Sequence, residues 1–475
     1  MNSQTKLRLA PLTALVIGAM VAGGIFSIPQ NIAASAAPAA TLMAWLITGL
    51  GMLALAFVFV NLSLRQSHLD SGVYAYARAM FGPFMGFGSA WGYWFMGVLG
   101  NVGYYVLLFS TLGHYVPGFG DGNTPLAVAC ASALVWCLHF VLLRGVREAA
   151  FVNQVATVAK LAPLGVFVLL TALAFRADVF TLDFWGRGNA ALGGTLEQVR
   201  GVMLVTVWVF VGVEGASVYS ARAERRADVG LATLLGFAFT LALLVAISVL
   251  SLGVMTQPEL AALKNPSTAY VLERVAGRWG AALISAGLLV SLAGSLLSWL
   301  MLASETLYMA ARDGTAPRWL AHENAHGTPA HALWLTSACA QIFLVITLLS
   351  DSTYLALVQL GTAMVLLPYA WAALYGLRLA WRGEGYGLAE SGARRRDFAI
   401  ALAAVMYAAW LVYAGGLKYL LLSSLLYTPG ALLYAWARRE HGRALFSRKE
   451  WALAAALLAA DAAALAGLHE GWLAI

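Results

Sequence analysis

An all-α bundle of membrane-spanning helices is the fold class this sequence predicts, and three observations carry the prediction. Of the 475 residues, 61% are hydrophobic and 11% are charged, against about 25% charged in an ordinary soluble domain. Thirteen mostly apolar stretches reach or approach the ~20 helical residues that cross a hydrocarbon core. Lysine and arginine are spread unevenly over alternate loops: with the N-terminus inside, 21 of the 29 lie in cytoplasmic loops, 7 lie on the opposite side, and Lys160 falls within a span. That bias predicts a cytoplasmic N-terminus, and an odd number of spans then puts the C-terminus outside. A β-barrel would show short alternation of apolar and polar residues instead.

The expected spans are 10–36, 40–64, 84–112, 124–143, 148–175, 196–220, 230–256, 279–306, 331–350, 353–378, 398–415, 417–437 and 451–469. Lys6 and Arg8 precede the first, but it lacks a small-residue cleavage site and runs on through Pro29, so it is a retained helix rather than a signal peptide. At the third, Gly82 with Gly86, Gly88 with Gly92, and Gly97, Gly100 and Gly103 form small-residue ladders that let helices approach closely in lipid. Spans 4 and 9 hold Cys130, Cys137 and Cys339 without metal-ligand spacing, which predicts small core residues and neither a disulfide nor a zinc site. His322 and His326 stand four apart, a spacing that binds metal on a helix. They lie in a loop with no third ligand nearby, so no metal and no cofactor are expected. The net charge of +7 sits in loop clusters, as membrane-surface charge does, and predicts no nucleic-acid partner.

Between spans the gaps are too short for a folded extramembrane domain, so 1–475 is expected to be a single transmembrane domain. Two spans are unusual inside it. Span 1 reads GAMVAGGIFSIPQN, with Gly23, Gly24 and Pro29; in a helix interior Gly costs about 1 kcal/mol and Pro about 3 kcal/mol against Ala. Span 6 reads VTVWVFVGVEGASVYS, with Gly212, Gly215 and the acid Glu214. Two interrupted spans five apart are the pattern of an inverted repeat of five plus five helices, with substrate held at the repeat interface. The halves would be 1–176 and 195–380, with additional helices over 397–475. An acid at mid-membrane is itself a functional signal. Free N–H groups at a break receive a carboxylate and free carbonyls receive an ammonium group, which together describe a clamp for an α-amino-acid backbone.

The segments GAMVAGGIFSIP, SGVYAYARAMFG followed by SAWGYW, VWVFVGVEGASV, and MAARDGTAPRWLAHENAHGTP resemble the amino acid–polyamine–organocation superfamily. Within it the chain is most similar to the basic amino acid/polyamine antiporters, and to bacterial arginine/ornithine antiporters among them. The resemblance covers essentially the whole chain, including a thirteenth span beyond the usual twelve. It implies that Gly23, Gly24 and Ile25 of the span 1 break, with Val211 and Gly212 of the span 6 break, bind the substrate backbone. It further implies that Trp208 stacks on the substrate guanidinium, Asn101 touches the side chain, Tyr93 and Trp299 act as gates, and Glu214 couples site to gate. Two departures accompany it. Gly23 replaces a small polar residue often found in the span 1 break, so the carboxylate would rely on backbone donors. Lys160, in VATVAKLAPL, is absent from the arginine/agmatine branch but resembles a lysine that lies against span 1 in other superfamily members. That argues against arginine/agmatine exchange.

Independent of resemblance, the spans hold many aromatic residues and few acids, with Glu214 alone central. A cationic side chain would therefore meet mainly π faces, each contact worth about 0.5–2 kcal/mol. The expected function is electroneutral exchange of extracellular arginine for intracellular ornithine in the bacterial inner membrane; a homodimer is compatible with the sequence. The alternative readings are a proton-coupled or uniporting cationic amino acid permease, with Lys160 or Glu214 titrating, and a transporter-like sensor. No paired-carboxylate, nucleotide-loop or triad pattern in the spans suggests an enzyme.

Overall fold

The computed structural model describes residues 8–69, 73–145, 149–214, 224–349 and 354–473. The described chain is helical. Nine of its helices are long and apolar enough to cross a membrane, or ten when the bent pair Leu9–Met20 and Gly23–Ala33 is taken as one span.

Span 1 begins as α1 (Leu9–Met20), unwinds at Val21 and Ala22, and resumes as a 3-10 helix (Gly23–Ser27) that leads into α2 (Ile28–Ala33). The two parts meet at 51°. Pro29 sits in the first turn of α2, where its missing N–H costs nothing. Next come α3 (Pro38–Arg65), the short α4 (Val73–Phe81), α5 (Pro83–Gly113), α6 (Pro125–Leu143), α7 (Ala149–Leu173) and α8 (Ala177–Thr181). Helix α9 (Thr195–Trp208) stops at Trp208, and turns follow to Glu214. The expected continuation of span 6 through Gly215 lies outside the described residues.

The second half contains α10 (Arg226–Val254), α11 (Gln257–Ala261), α12 (Ser267–Ala276), α13 (Arg278–Arg312), α14 (Ala330–Leu349) and α15 (Tyr354–Arg382). Expected spans 11 and 12 join as one helix, α16 (Ser391–Glu440), kinked at Gly416 with φ +71°. That is a left-handed conformation which glycine alone adopts freely, and it falls at the expected boundary. The last helix, α17 (Arg448–His469), opens on a reciprocal cap in which the Glu450 amide donates to Ser447 Oγ and the Ser447 amide donates to Glu450.

Burial ranks these helices. In its most apolar window α5 is 94% buried and α17 is 22% buried, so α5 is the axis of the bundle and α17 an outer addition. Helix α5 packs on α13 and α15, with α16 behind α15. Its glycines are contact points: a Cβ at Gly103 would lie 3.3 Å from Tyr354, and one at Gly97 would lie 3.2 Å from Ala303. Gly82 departs from the packing expectation, since its φ of +92° marks a turn before α5. Cys137 also departs from expectation; it faces outward, as the surface of a helix against lipid allows. Side-chain hydrogen bonds bind helices where no water competes: Trp45 Nε1 donates to Ser248, Trp94 Nε1 to Thr336, and Thr48 pairs with Thr206.

Two segments quoted for the resemblance meet at one end of the bundle. Tyr74 and Arg78 of α4 reach Thr315 at 2.9 Å and Asp313 at 3.0 Å. At the other end the segment 257–268 is tied to the second half of span 1. Gln257 Nε2 donates to the Ala33 carbonyl at 2.6 Å, Thr268 Oγ1 to the Phe26 carbonyl at 2.8 Å, and Ser267 Oγ accepts from the Gln30 amide at 3.1 Å.

Candidate functional site

The two interruptions touch. Gly212 has φ +105°, and a Cβ there would lie 2.7 Å from the Ala19 carbonyl oxygen in the last turn of α1. Only glycine meets both demands. Around this crossing lies a small cavity, walled by Met20, Ala22, Gly24, Ile25, Met96, Gly97, Gly100, Tyr104, Trp208, Val209, Val211 and Trp299. No charged side chain belongs to that wall.

Each break offers backbone groups to the cavity. Gly23 and Gly24 open a 3-10 helix, so their amides have no carbonyl within it to bond. Beyond Trp208 the chain turns through bonds from Phe210 N to Val207 O, Val211 N to Trp208 O and Val213 N to Phe210 O. The carbonyls of Val209 and Val211 take part in none of these bonds, and the chain over 215–223 lies outside the described residues. The opening amides of one segment and the turn of the other therefore flank one space.

Of the sequence-selected residues, Gly24, Ile25, Trp208, Val211 and Trp299 line the cavity, while Gly23 and Gly212 shape its wall from behind. Trp208 is 7% exposed, and its ring meets Tyr104 edge-on at 6.4 Å. Asn101, next to Gly100 on α5, is 1% exposed, and neither of its amide atoms has a partner. Such a group is costly to bury unless something completes it. Tyr93 and Trp299 lie 6.5 Å apart between ring centroids.

Glu214 lies outside the wall and is closely held. Tyr93 donates to Oε1 at 2.6 Å, Tyr369 donates to Oε2 at 2.7 Å, and the Gly212 amide donates to Oε2 at 3.2 Å. Lys160 is 3% exposed and donates to the Gly18 carbonyl at 2.9 Å, at the end of α1 that precedes the break. The two ionisable groups thus act on different helices. His322 and His326 share no helix: His322 stacks on His331 with ring centroids 4.4 Å apart, and among the described residues no group of three or more His, Cys, Asp or Glu is arranged to hold a metal.

Sequence reasoning missed Tyr369, Tyr104 and the methionine and glycine wall of α5. For Tyr369 a signal existed in Pro368, a helix-interior proline at the middle of span 10. Tyr104 had none, since one tyrosine among 18 does not reveal its facing.

A broken first span and a helix that ends at Trp208, meeting at one cavity, form the frame that the sequence comparisons extend. Residues 7–443 match the amino acid permease family. The chain belongs to that family. Among its relatives, an arginine/ornithine antiporter of Pseudomonas aeruginosa is 56% identical over 99% of each chain. An L-lysine transport protein of Corynebacterium glutamicum is 45% identical, over 98% of this chain and 95% of its own. An arginine/agmatine antiporter of Chlamydia caviae is 41% identical over 94% of each. This permease is thus a polytopic all-α membrane protein of a transporter family.

Proposed function

We propose that this permease exchanges extracellular arginine for intracellular ornithine, one for one, by alternating access in the bacterial cytoplasmic membrane. The observation that carries the reading is the cavity itself, where the opening amides of the resumed half of span 1 and the turn that follows Trp208 flank a wall without a charge that holds Tyr104, Trp208 and Trp299. The 56% identical relative supports the substrate pair. In this reading the Gly23 and Gly24 amides, with Ile25 beside them, hold the α-carboxylate, the Val209 and Val211 carbonyls with the Gly212 turn hold the α-ammonium, and Trp208 stacks on the side-chain cation with Asn101 as its polar contact.

Movement follows from the surroundings. Tyr93 and Trp299 close over the substrate from α5 and α13, and Glu214 joins Tyr93 to Tyr369 on α15, so opening on that side has to break the carboxylate's hydrogen bonds. Lys160 fixes the end of α1 through Gly18. The five-plus-five inverted repeat over 1–176 and 195–380 provides the rocking halves, with the N-terminus cytoplasmic, the C-terminus outside, and 397–475 added at the flank.

Ornithine-loaded liposomes carrying the purified protein test the reading. Labelled arginine should enter them and should not enter empty liposomes. Equal entry into both would favour a uniporting or proton-coupled permease. Lysine belongs in the same experiment as a counter-substrate, because the 45% identical relative is an L-lysine transport protein.

A further inference from the structure

Three glycines from three separate elements bound the ring of Trp208. A Cβ at Gly24, in the 3-10 helix, would lie 2.9 Å from Cδ1 and Nε1 on the pyrrole edge. A Cβ at Gly100 of α5 would lie 2.7 Å from Cη2, and one at Gly361 of α15 would lie 3.3 Å from Cζ3, both on the six-membered ring. Carbon atoms in contact prefer separations of about 3.5–4.0 Å. The indole is therefore inlaid in a slot that exists only because these positions lack side chains. Tyr104 meets it edge-on, and its remaining open side looks into the cavity.

We propose that Gly100 and Gly361 are specificity-determining positioning residues, which hold the Trp208 ring in the plane that receives a guanidinium flat. Gly361 lies outside the cavity wall and Gly100 belongs to it; both act through Trp208, a route that the Trp208→Phe background separates from direct contact. The inference rests on the reading that arginine and ornithine share this cavity. Its physical basis is the difference between the two cations. A guanidinium is planar and stacks on an aromatic face, so its contact depends on the angle between planes, whereas an ammonium group is a compact point charge that tolerates a tilted ring. A methyl group at Gly100 displaces the ring edge toward the cavity and tilts it. Arginine then loses its stacking geometry while ornithine keeps most of its attraction. Gly361, with the looser contact, should show the same bias more weakly.

Binding of labelled arginine and ornithine to the purified protein tests this, with Gly100→Ala, Gly361→Ala, Trp208→Phe and the Trp208→Phe/Gly100→Ala pair. Gly100→Ala should weaken arginine about tenfold and ornithine less than about threefold, with Gly361→Ala between it and the parent. In the Trp208→Phe background, whose ring lacks the Cη2 edge, the added Gly100→Ala should change arginine binding less than about twofold. Equal weakening of both substrates, or the same Gly100→Ala loss with and without the indole, overturns the proposal. Should Gly100→Ala fail to fold, Gly361→Ala decides alone by the same ratio. If the parent binds neither substrate, the transport reading falls instead. The slot is then judged by the fluorine resonance of fluorotryptophan at position 208, assigned by its loss in Trp208→Phe: it should move in Gly361→Ala, and an unmoved resonance overturns the slot.

Discussion

The hydroxyl of Tyr369 donates a 2.7 Å hydrogen bond to the Glu214 carboxylate, across 155 residues of sequence. The other carboxylate oxygen is held by Tyr93, so a single acid joins α5, α15 and the turn after α9. Tyr369→Phe and Glu214→Gln should each slow exchange about tenfold, because closure over the substrate then forms weaker versions of one or two charge-assisted bonds worth about 1.5–3 kcal/mol. Arginine affinity should change by less than about threefold. Exchange rates and equilibrium binding, measured on the same preparation, check this; a larger effect on binding than on rate would place Glu214 in contact with substrate.

Trp208→Leu should weaken arginine by up to about thirtyfold, the upper range of a desolvated cation–π contact. Trp208→Phe should retain more, because a smaller face remains. Arginine uptake like the parent's in both variants would remove the substrate side chain from this wall.

Lys160→Ala leaves the Gly18 carbonyl without the donor it has at 2.9 Å. An unsatisfied buried acceptor costs about 1–3 kcal/mol, here at the end of the helix whose break forms the site. Exchange should fall together with arginine affinity. Parental exchange in this variant would mean that the ammonium group has no part in shaping the break.

One-for-one exchange of arginine for ornithine moves no net charge, because both carry two cationic groups and one carboxylate near neutral pH. Initial arginine uptake into ornithine-loaded liposomes should therefore be the same at zero potential and at about −100 mV, whereas uniport of a monovalent cation would gain about 2.3 kcal/mol. Strong acceleration by a negative interior would exclude electroneutral exchange.

Segment 257–268 supplies a prediction about pH. The Thr256 amide and hydroxyl both donate to Glu259 at 2.8 Å and hold its carboxyl below the usual carboxylate range. A depressed folded value means that the cap contributes above the ordinary pKa of about 4.3 and loses its contribution as pH falls through the depressed value. Amide exchange over 257–261, corrected for its intrinsic pH dependence, should rise at that acid limit, and Glu259→Gln should remove the pH dependence.

Much of this architecture is legible in the sequence because lipid imposes simple rules. Apolar length marks the spans, and the cost of Gly23, Gly24 and Pro29 in one helix marks a break that the structure has at Val21 and Ala22. The boundary after position 415 is legible too, since Gly416 is where α16 kinks. The helix count is harder to read, because residues on both sides of such a kink remain helical and a continuous helix hides two spans. Within the site, backbone-determined positions such as Gly212 are visible from local chemistry. Tyr104 and Tyr369 are not, because nothing local tells a buried aromatic that faces a cavity from one that faces another helix. Their placement depends on α5 and α15 meeting, which is a property of the packed bundle.

The ties from Gln257, Ser267 and Thr268 to the backbone of residues 26–33 have a pharmacological consequence. This half of span 1 cannot swing alone, because a loop on the proposed extracellular face is laced to it. Any binder that grips α11 and α12 therefore restrains the substrate-bearing break from outside. An antibody fragment raised against that loop would act as a non-competitive brake, lowering maximal exchange while extra arginine fails to relieve it.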